Sequence, residues 1–494
     1  MASATEASSE TSATSKTSST SAPTEARREI GALPAPGGLP LLGNLLQFDT
    51  RSAHAQVESW ARRFGTLFRF RAGRRALVVV TDHRVIGALL RDRPDGFRRS
   101  SRLEAIGREL GLTGGVFNAE GEVWRRQRKM VMAAFDPRHL RAYFPSLVRV
   151  ATRLQARWRR AARARAGIDL QADLMRFTVD AVSGLAFGAQ VNTLDSDDDV
   201  IQRHLDKIFP ALFRRLYAFF PTWRWWKTRA DRELEQSVGA VGEAIRGFVA
   251  AARARLAADP GRRETPADLL EAMLVASETP GSGISDAEVS GNVLTMLLAG
   301  EDTTANTLAW MIHLLQRHPA ALERARAEID AVAGAPADWT LERFAALPWV
   351  EACTHETMRI KPVAPMMVLE ALRETTIDGV RIPAGTLVWL ALRHDSLRDD
   401  CFADAASFRP ERWLDKESEL NAASTSRIAM PFGAGPRVCP GRQLAMLEIK
   451  MALAALLGAF EIESVATARG GEPAEELAFT MAPETLTMRL RERA

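Results

Sequence analysis

Cysteine is scarce: three in 494 residues (Cys353, Cys401 and Cys439), which fits a reducing compartment and makes small buried hydrophobe the default role of Cys353 and Cys401. Long apolar runs are missing as well; no stretch reaches the 18 or so residues that a spanning helix needs. The formal charge is only +4, and no basic platform interleaved with aromatics marks a nucleic-acid module. Serine and threonine fill 14 of the first 24 positions, so residues 1–30 are expected to be disordered, without a core. That segment has no apolar core for a signal peptide, and its glutamates and few arginines argue against a transit peptide, so a soluble, cytoplasmic location is expected. No internal repeat is found, and the remainder, 31–494, reads as one large domain. The pair Gly433 and Gly435 is not followed by Lys-Ser/Thr or by a third glycine of the dinucleotide pattern, which sets phosphate loops aside.

What is present centres on Phe432-Gly-Ala-Gly435-Pro-Arg437-Val-Cys439-Pro-Gly441. A cysteine with no second cysteine or histidine nearby cannot build a zinc cage, whereas a bend-prone loop suits a sulfur offered to a large planar ligand such as heme. Gly433 and Gly435 permit tight or left-handed turns, and Gly441 allows close backbone approach to a ring face. Backbone N–H groups just after Cys439 would point at the sulfur and favour the thiolate. Arg437 is placed to reach an anionic carboxylate such as a heme propionate. Simple packing remains the alternative for a lone cysteine.

Upstream, the capping box Ser285-Asp-Ala-Glu288 opens a proline-free segment that runs to His318-Pro319, which predicts a helix of about 32 residues and roughly 48 Å. Its middle, Ala299-Gly300-Glu301-Asp302-Thr303-Thr304, sets two acids and two hydroxyls behind an apolar stretch. A threonine there can also simply bond back to its own helix. Glu356 and Arg359 share a helix face three residues apart, and a surface pair of that kind contributes only a few tenths of a kcal/mol. Trp124 and Arg128 stand four apart on another expected helix. Short strands are expected at 66–70 and 76–81, with 380–392 returning as strands.

Phe432 to Gly441 resembles the heme-binding signature of the cytochrome P450 family, and the other segments agree with it in identity and order. Pro34 to Asn44 is similar to the family's proline-rich entry. The resemblance implies a mainly α fold with small β-sheets, a single domain holding heme b between the long helix and the cysteine loop, with Cys439 as the iron ligand. It implies that Ala299 and Gly300 leave room for dioxygen and that Asp302 and Thr303 deliver protons. Trp124, Arg128 and Arg437 would hold the propionates, with Phe432 and Gly441 against the ring. Glu356, Arg359 and Arg412 would form a buried structural network behind it.

The implied function is a heme monooxygenase that inserts one oxygen atom of O2 into an apolar substrate by hydroxylation or epoxidation. A peroxide-driven peroxygenase and a non-enzymatic heme sensor are the alternatives. Pocket walls are expected at Met296, Val363, Met366, Met367, Phe479, Thr480 and Met481, with 102–117 as a mobile loop. Electrons are expected from a separate ferredoxin or flavodoxin with its reductase, docking on Arg125, Arg126, Lys129, Arg442 and Lys450. A monomer is expected. The aromatic and basic run from Phe213 to Trp226 reads as a pocket lid, with peripheral membrane contact or oligomer contact as alternatives.

Overall fold

Ser285 sets the start of the helix that organises the molecule. In the computed structural model its hydroxyl accepts the Glu288 N–H at 3.3 Å while Glu288 Oε2 accepts the Ser285 N–H at 2.8 Å, and the helix runs Asp286–Arg317, 32 residues, as its spacing predicts. It stops where Pro319, which has no N–H to give, opens the next helix. The structure describes residues 28–112, 114–188, 191–195, 200–218, 220–414 and 422–493. The expectation of disorder over residues 1–30 falls largely outside these. Its last part is corrected: Arg28–Glu29 pair in parallel with Val380–Ile382.

The central helix is buried without a break from Thr304 to Leu315, as its mixed apolar composition requires. The helix Leu170–Phe187 packs along it closely. The cysteine helix, Arg442–Leu457, meets it from the other side and is itself covered by Pro137–Arg163 and Pro348–Ile360. One large apolar core fills the space between these helices.

The strands gather to one side. A five-stranded sheet runs Leu67–Ala72, Arg75–Val80, Leu387–Leu390, Met367–Ala371, Phe97–Arg99, with the second and third strands parallel and the other pairs antiparallel. In the first strand Phe68 and Phe70 turn inward at the period of two that strands impose. A three-stranded sheet joins Phe460–Thr467, Leu486–Glu492 and Ile168–Asp169, and the hairpin Glu475–Leu477 with Met481–Pro483 lies against the central helix. The result is mostly helical with small sheets.

Candidate active site

The loop before Cys439 is shaped by its glycines. Gly433 and Gly435 both take left-handed backbone angles, at φ 75° and 72°. A Cβ on Gly435 would stand 2.6 Å from Leu90 O, so the loop seats on the end of the helix His83–Arg91 only because that side chain is missing. Cys439 N–H donates to Phe432 O at 3.0 Å and closes the loop. The N–H groups of Gly441 and Arg442, at the head of the cysteine helix, then point at the sulfur. Burial pushes the Cys439 thiol up, and those two N–H groups, with the nearby Arg128 guanidinium, pull against it. Cys439 is nonetheless an exposed residue, so the loop presents it at an open face rather than in a packed interior.

A cleft opens on the central helix. Ala299 is exposed, although Leu297, Leu298 and Glu301 around it are buried. Thr303 Oγ1 donates to Ala299 O at 2.8 Å, one of three such back-bonds on this helix with Thr295 to Gly291 and Thr307 to Thr303. A hydroxyl whose proton is committed in this way still offers its lone pairs as acceptors. Gly300 departs from expectation. A Cβ there would meet Val182 Cγ2 at 2.4 Å, so its smallness serves packing against Leu170–Phe187 rather than space in the cleft.

The expected propionate partners divide. Arg128 donates from Nη2 to Val438 O at 2.7 Å and so braces the backbone beside Cys439. Trp124 instead lies under the Arg437 guanidinium, 4.7 Å from its ring centroid. Arg437 donates to Ala119 O at 2.6 Å and pairs with Glu120. Two arginines that sequence reasoning missed complete a cluster. Arg93 is 3% exposed, donates from Nη1 only to Met367 Sδ at 3.7 Å, and is pushed down to about 10 by burial and by the neighbouring Arg437. Arg99 donates to Phe117 O at 3.0 Å, stacks on the Phe117 ring, and is held well below the ordinary guanidinium range by burial and by Arg93 and Arg437. Glu120 is the one carboxylate that influences all three. Arg93 Nε and Nη2 and Arg437 Nε are buried without a partner among the described residues. A surplus of crowded cations next to an exposed cysteine fits a ligand with a thiolate-seeking metal at its centre and carboxylates at its edge, as heme b has. No local pattern marks Arg93 or Arg99 in so arginine-rich a chain; only the three-dimensional shortage of anions does.

Behind this, Glu356 and Arg359 are fully buried and paired twice, at 2.9 and 2.8 Å. Arg412 Nε and Trp413 Nε1 donate to the same carboxylate at 3.0 and 2.9 Å, and these donors hold Glu356 below the usual carboxylate range despite its burial.

Among the expected pocket residues, Met296, Val363, Met366, Met367 and Phe479 are half-buried, and Phe479 lies 5.8 Å from Phe117 ring to ring. Met481 joins these residues through its backbone, its N–H donating to Val363 O at 2.8 Å, while its side chain and that of Thr480 are buried. Met481 is fully buried with its sulfur 3.7 Å from Arg393 Nη1, and the Thr480 hydroxyl accepts from Asn306 at 3.2 Å. The segment 102–117 is in part the helix Ser101–Glu109, with Val116 N–H bonded to Asn292 on the central helix at 2.8 Å. Lys450 is corrected too: it is buried, its Nζ donating to Glu351 at 2.8 Å and Phe344 O at 3.0 Å, whereas Arg125, Lys129 and Arg442 are exposed.

One other ligand-like group exists among the described residues, His83, Asp395 and Cys401, with donor atoms within 4.8 Å. Asp395 is already occupied by the His83 N–H and ring nitrogen, both at 2.8 Å, and by His394 at 3.0 Å, and the Arg398 cation stands 3.8 Å away. It reads as a hydrogen-bonded acid.

Comparison with known proteins places these features in company. The chain is 28% identical over 451 residues to the self-sufficient cytochrome P450 monooxygenase CYP505AG1 of Oidiodendron maius, covering 87% of this chain and 39% of that protein. It is 27% identical over 477 residues to thromboxane-A synthase of Sus scrofa, covering 87% and 86%. The chain thus spans about two-fifths of the length of the self-sufficient relatives. The crystal structure of the cytochrome P450DA heme domain superposes with a TM-score of 0.79 at 24% identity, covering 94% of this chain and 97% of that one. The cytochrome P450 family model matches residues 33–489. With a cysteine loop, a notched central helix and a buried Glu-Arg-Arg network inside that match, the chain belongs to the cytochrome P450 family.

Proposed function

We propose that this protein is a heme-dependent monooxygenase that inserts one oxygen atom of O2 into an apolar organic substrate. The observation that carries the reading is the pairing of an exposed Cys439, its sulfur faced by the Gly441 and Arg442 N–H groups, with the under-neutralised cations Arg93, Arg99 and Arg437. Heme b, when bound, supplies electron transfer and oxygen activation, and a thiolate ligand favours O–O cleavage. The chain's residues do the rest. Cys439 would ligate the heme, its charge spread by two backbone donors; the arginines would hold the heme's carboxylates; and Thr303, with its proton given to Ala299 O, can accept a hydrogen bond from a proton-bearing group. Asp302, beside it, relays protons. Met296, Val363, Met366, Met367 and Phe479 present an apolar wall to the substrate. A separate one-electron donor with an acidic face fits the exposed Arg125, Lys129 and Arg442.

The test is the carbon monoxide difference spectrum of the reduced protein, expected to carry the thiolate-ligated band and to lose it in Cys439→Ser. Thr303→Ala is expected to keep that band and to lower product formed per electron by ~10²-fold, the range of a positioned proton-transfer group. An unchanged band in Cys439→Ser would overturn the reading.

A second reading concerns location. Phe213 and Trp223 are buried and Tyr217 packs on Trp389 at 6.4 Å, so the inner part of the 213–226 run is core; Phe219 lies outside the described residues. Phe220, Trp225 and Trp226 are exposed, the last two by 76% and 80%, and this favours contact of that loop with a lipid surface.

A further inference from the structure

The cysteine helix carries a second acid-sensitive element two turns beyond the sulfur. Glu448 is 1% exposed on a helix whose residues from Leu447 to Leu457 are all buried. Its Oε1 has no hydrogen-bond partner among the described residues, and the Thr304 hydroxyl, on the central helix directly after Thr303, is the one group that reaches the carboxyl. No cation offsets it. Lys450, on the same helix, is turned to Glu351 and Phe344. The helix Pro137–Arg163 brings Tyr143, whose proton is held more tightly by burial and then by Glu448 and whose hydroxyl is committed to Ala181 O at 2.6 Å. A carboxylate in such surroundings lacks both solvent and counter-charge, and an isolated buried charge of this kind is neutralised rather than kept.

We propose that Glu448 is held as a neutral carboxylic acid joining the cysteine helix to the central helix through Thr304, and that its ionisation links the electron affinity of the cysteine-held cofactor to pH. Burial pushes Glu448 up to about 8, so the acid is protonated at and below neutral pH and begins to ionise in the mildly alkaline range. While it is neutral, the site carries the thiolate charge alone. Once it has ionised, a second negative charge lies in the same low-dielectric interior and opposes entry of an electron. Reduction in the alkaline range is then accompanied by proton uptake: one electron arrives from an external one-electron reductant, one proton from solvent binds a Glu448 carboxylate oxygen, and no other bond changes. Glu448 is a positioning residue that never touches the reacting atoms.

The inference rests on the heme-thiolate reading, and the experiment separates the two. Midpoint potentials of the heme-loaded protein are measured by dithionite titration from pH 5.5 to 9.5 for wild type, Glu448→Gln and Thr304→Val. Wild type is expected to be level up to about pH 7 and to fall above about pH 8, and Glu448→Gln to match it at pH 6 and stay level. Thr304→Val removes the hydroxyl that favours the charged form, so its fall is expected at higher pH. A level wild-type profile, a fall of equal size in Glu448→Gln, or a Glu448→Gln potential already raised at pH 6 would overturn the proposal. A protein lacking the thiolate-ligated carbon monoxide band fails the heme-thiolate reading instead. Should Glu448→Gln not load heme, the infrared carbonyl stretch of a protonated carboxylic acid in wild type, present at pH 6 and shifted in Thr304→Val, decides the matter; its absence from wild type at pH 6 overturns the proposal.

Discussion

Arg93 is costly for the protein to keep. Its guanidinium is buried beside two other arginines, two of its nitrogens lack partners, and its acidity has moved toward the neutral form. Unsatisfied donors and like charges both destabilise a fold, so Arg93→Leu is expected to leave the heme-free protein as stable as wild type or more so. Heme retention should move the other way. A charge-assisted bond of about 1.5–3 kcal/mol corresponds to heme loss faster by ~10- to 100-fold, read as transfer to apomyoglobin. A variant that loses stability without heme and retains heme as well as wild type would mean that Arg93 serves the fold alone. Gly300 makes the opposite point, because the residue serves packing where the sequence suggested chemistry. Its missing side chain is taken up by Val182, a neighbour 118 positions earlier in the chain.

Among the elements, the helix Pro348–Ile360 holds the part of the fold most sensitive to a single charge. The Glu356 carboxylate takes donors from Arg359, Arg412, Trp413 and the Arg409 N–H, while Arg359 also caps the carbonyls of Ala405 at 2.8 Å and Ser407 at 3.1 Å. Glu356→Gln would leave buried guanidiniums short of a counter-ion, at a cost of about 3–5 kcal/mol, measured by urea unfolding at neutral pH. A loss under about 1 kcal/mol would show the pairs to be weak. Such elements were legible to different depths in the sequence. The central helix was readable at both ends, because a capping box and a proline are local chemistry. The cysteine loop was readable because left-handed turns demand glycine. The Glu356 network could be named by its spacing, but an isolated i, i+3 pair looks the same on a surface. Lys450 was misplaced because burial depends on which groups arrive from elsewhere, here Phe344 O and Glu351, and the burial of the Thr480 and Met481 side chains likewise depends on distant neighbours, Asn306 and Arg393. Glu448 carried no sequence signal, since an acid on a helix ordinarily faces water.

At the scale of the whole molecule, the exposed aromatics are not scattered. Phe48, at the end of the turn that carries Leu41 and Leu46, lies 5.8 Å from Trp389, and Tyr217, just before the loop that carries Phe220, Trp225 and Trp226, lies 6.4 Å from the same ring. Two segments with exposed apolar side chains are therefore anchored on the same ring, and exposed Arg51, Arg224 and Lys227 lie close to them in sequence. Co-sedimentation with vesicles containing anionic lipid is expected for wild type, with binding reduced about tenfold in Trp225→Ser/Trp226→Ser and weakened by salt. Equal pelleting of both proteins would remove the lipid reading. No helix among the described residues is long and apolar enough to cross a membrane. The arginine cluster has a consequence of another kind. Three crowded cations, Arg93 buried and Arg99 and Arg437 half-buried, answered among the described residues by Glu120, repel one another until further anions arrive, so folding yield should track the cell's porphyrin supply. Cultures starved of iron or of porphyrin precursors would then give less intact polypeptide, not merely a colourless one.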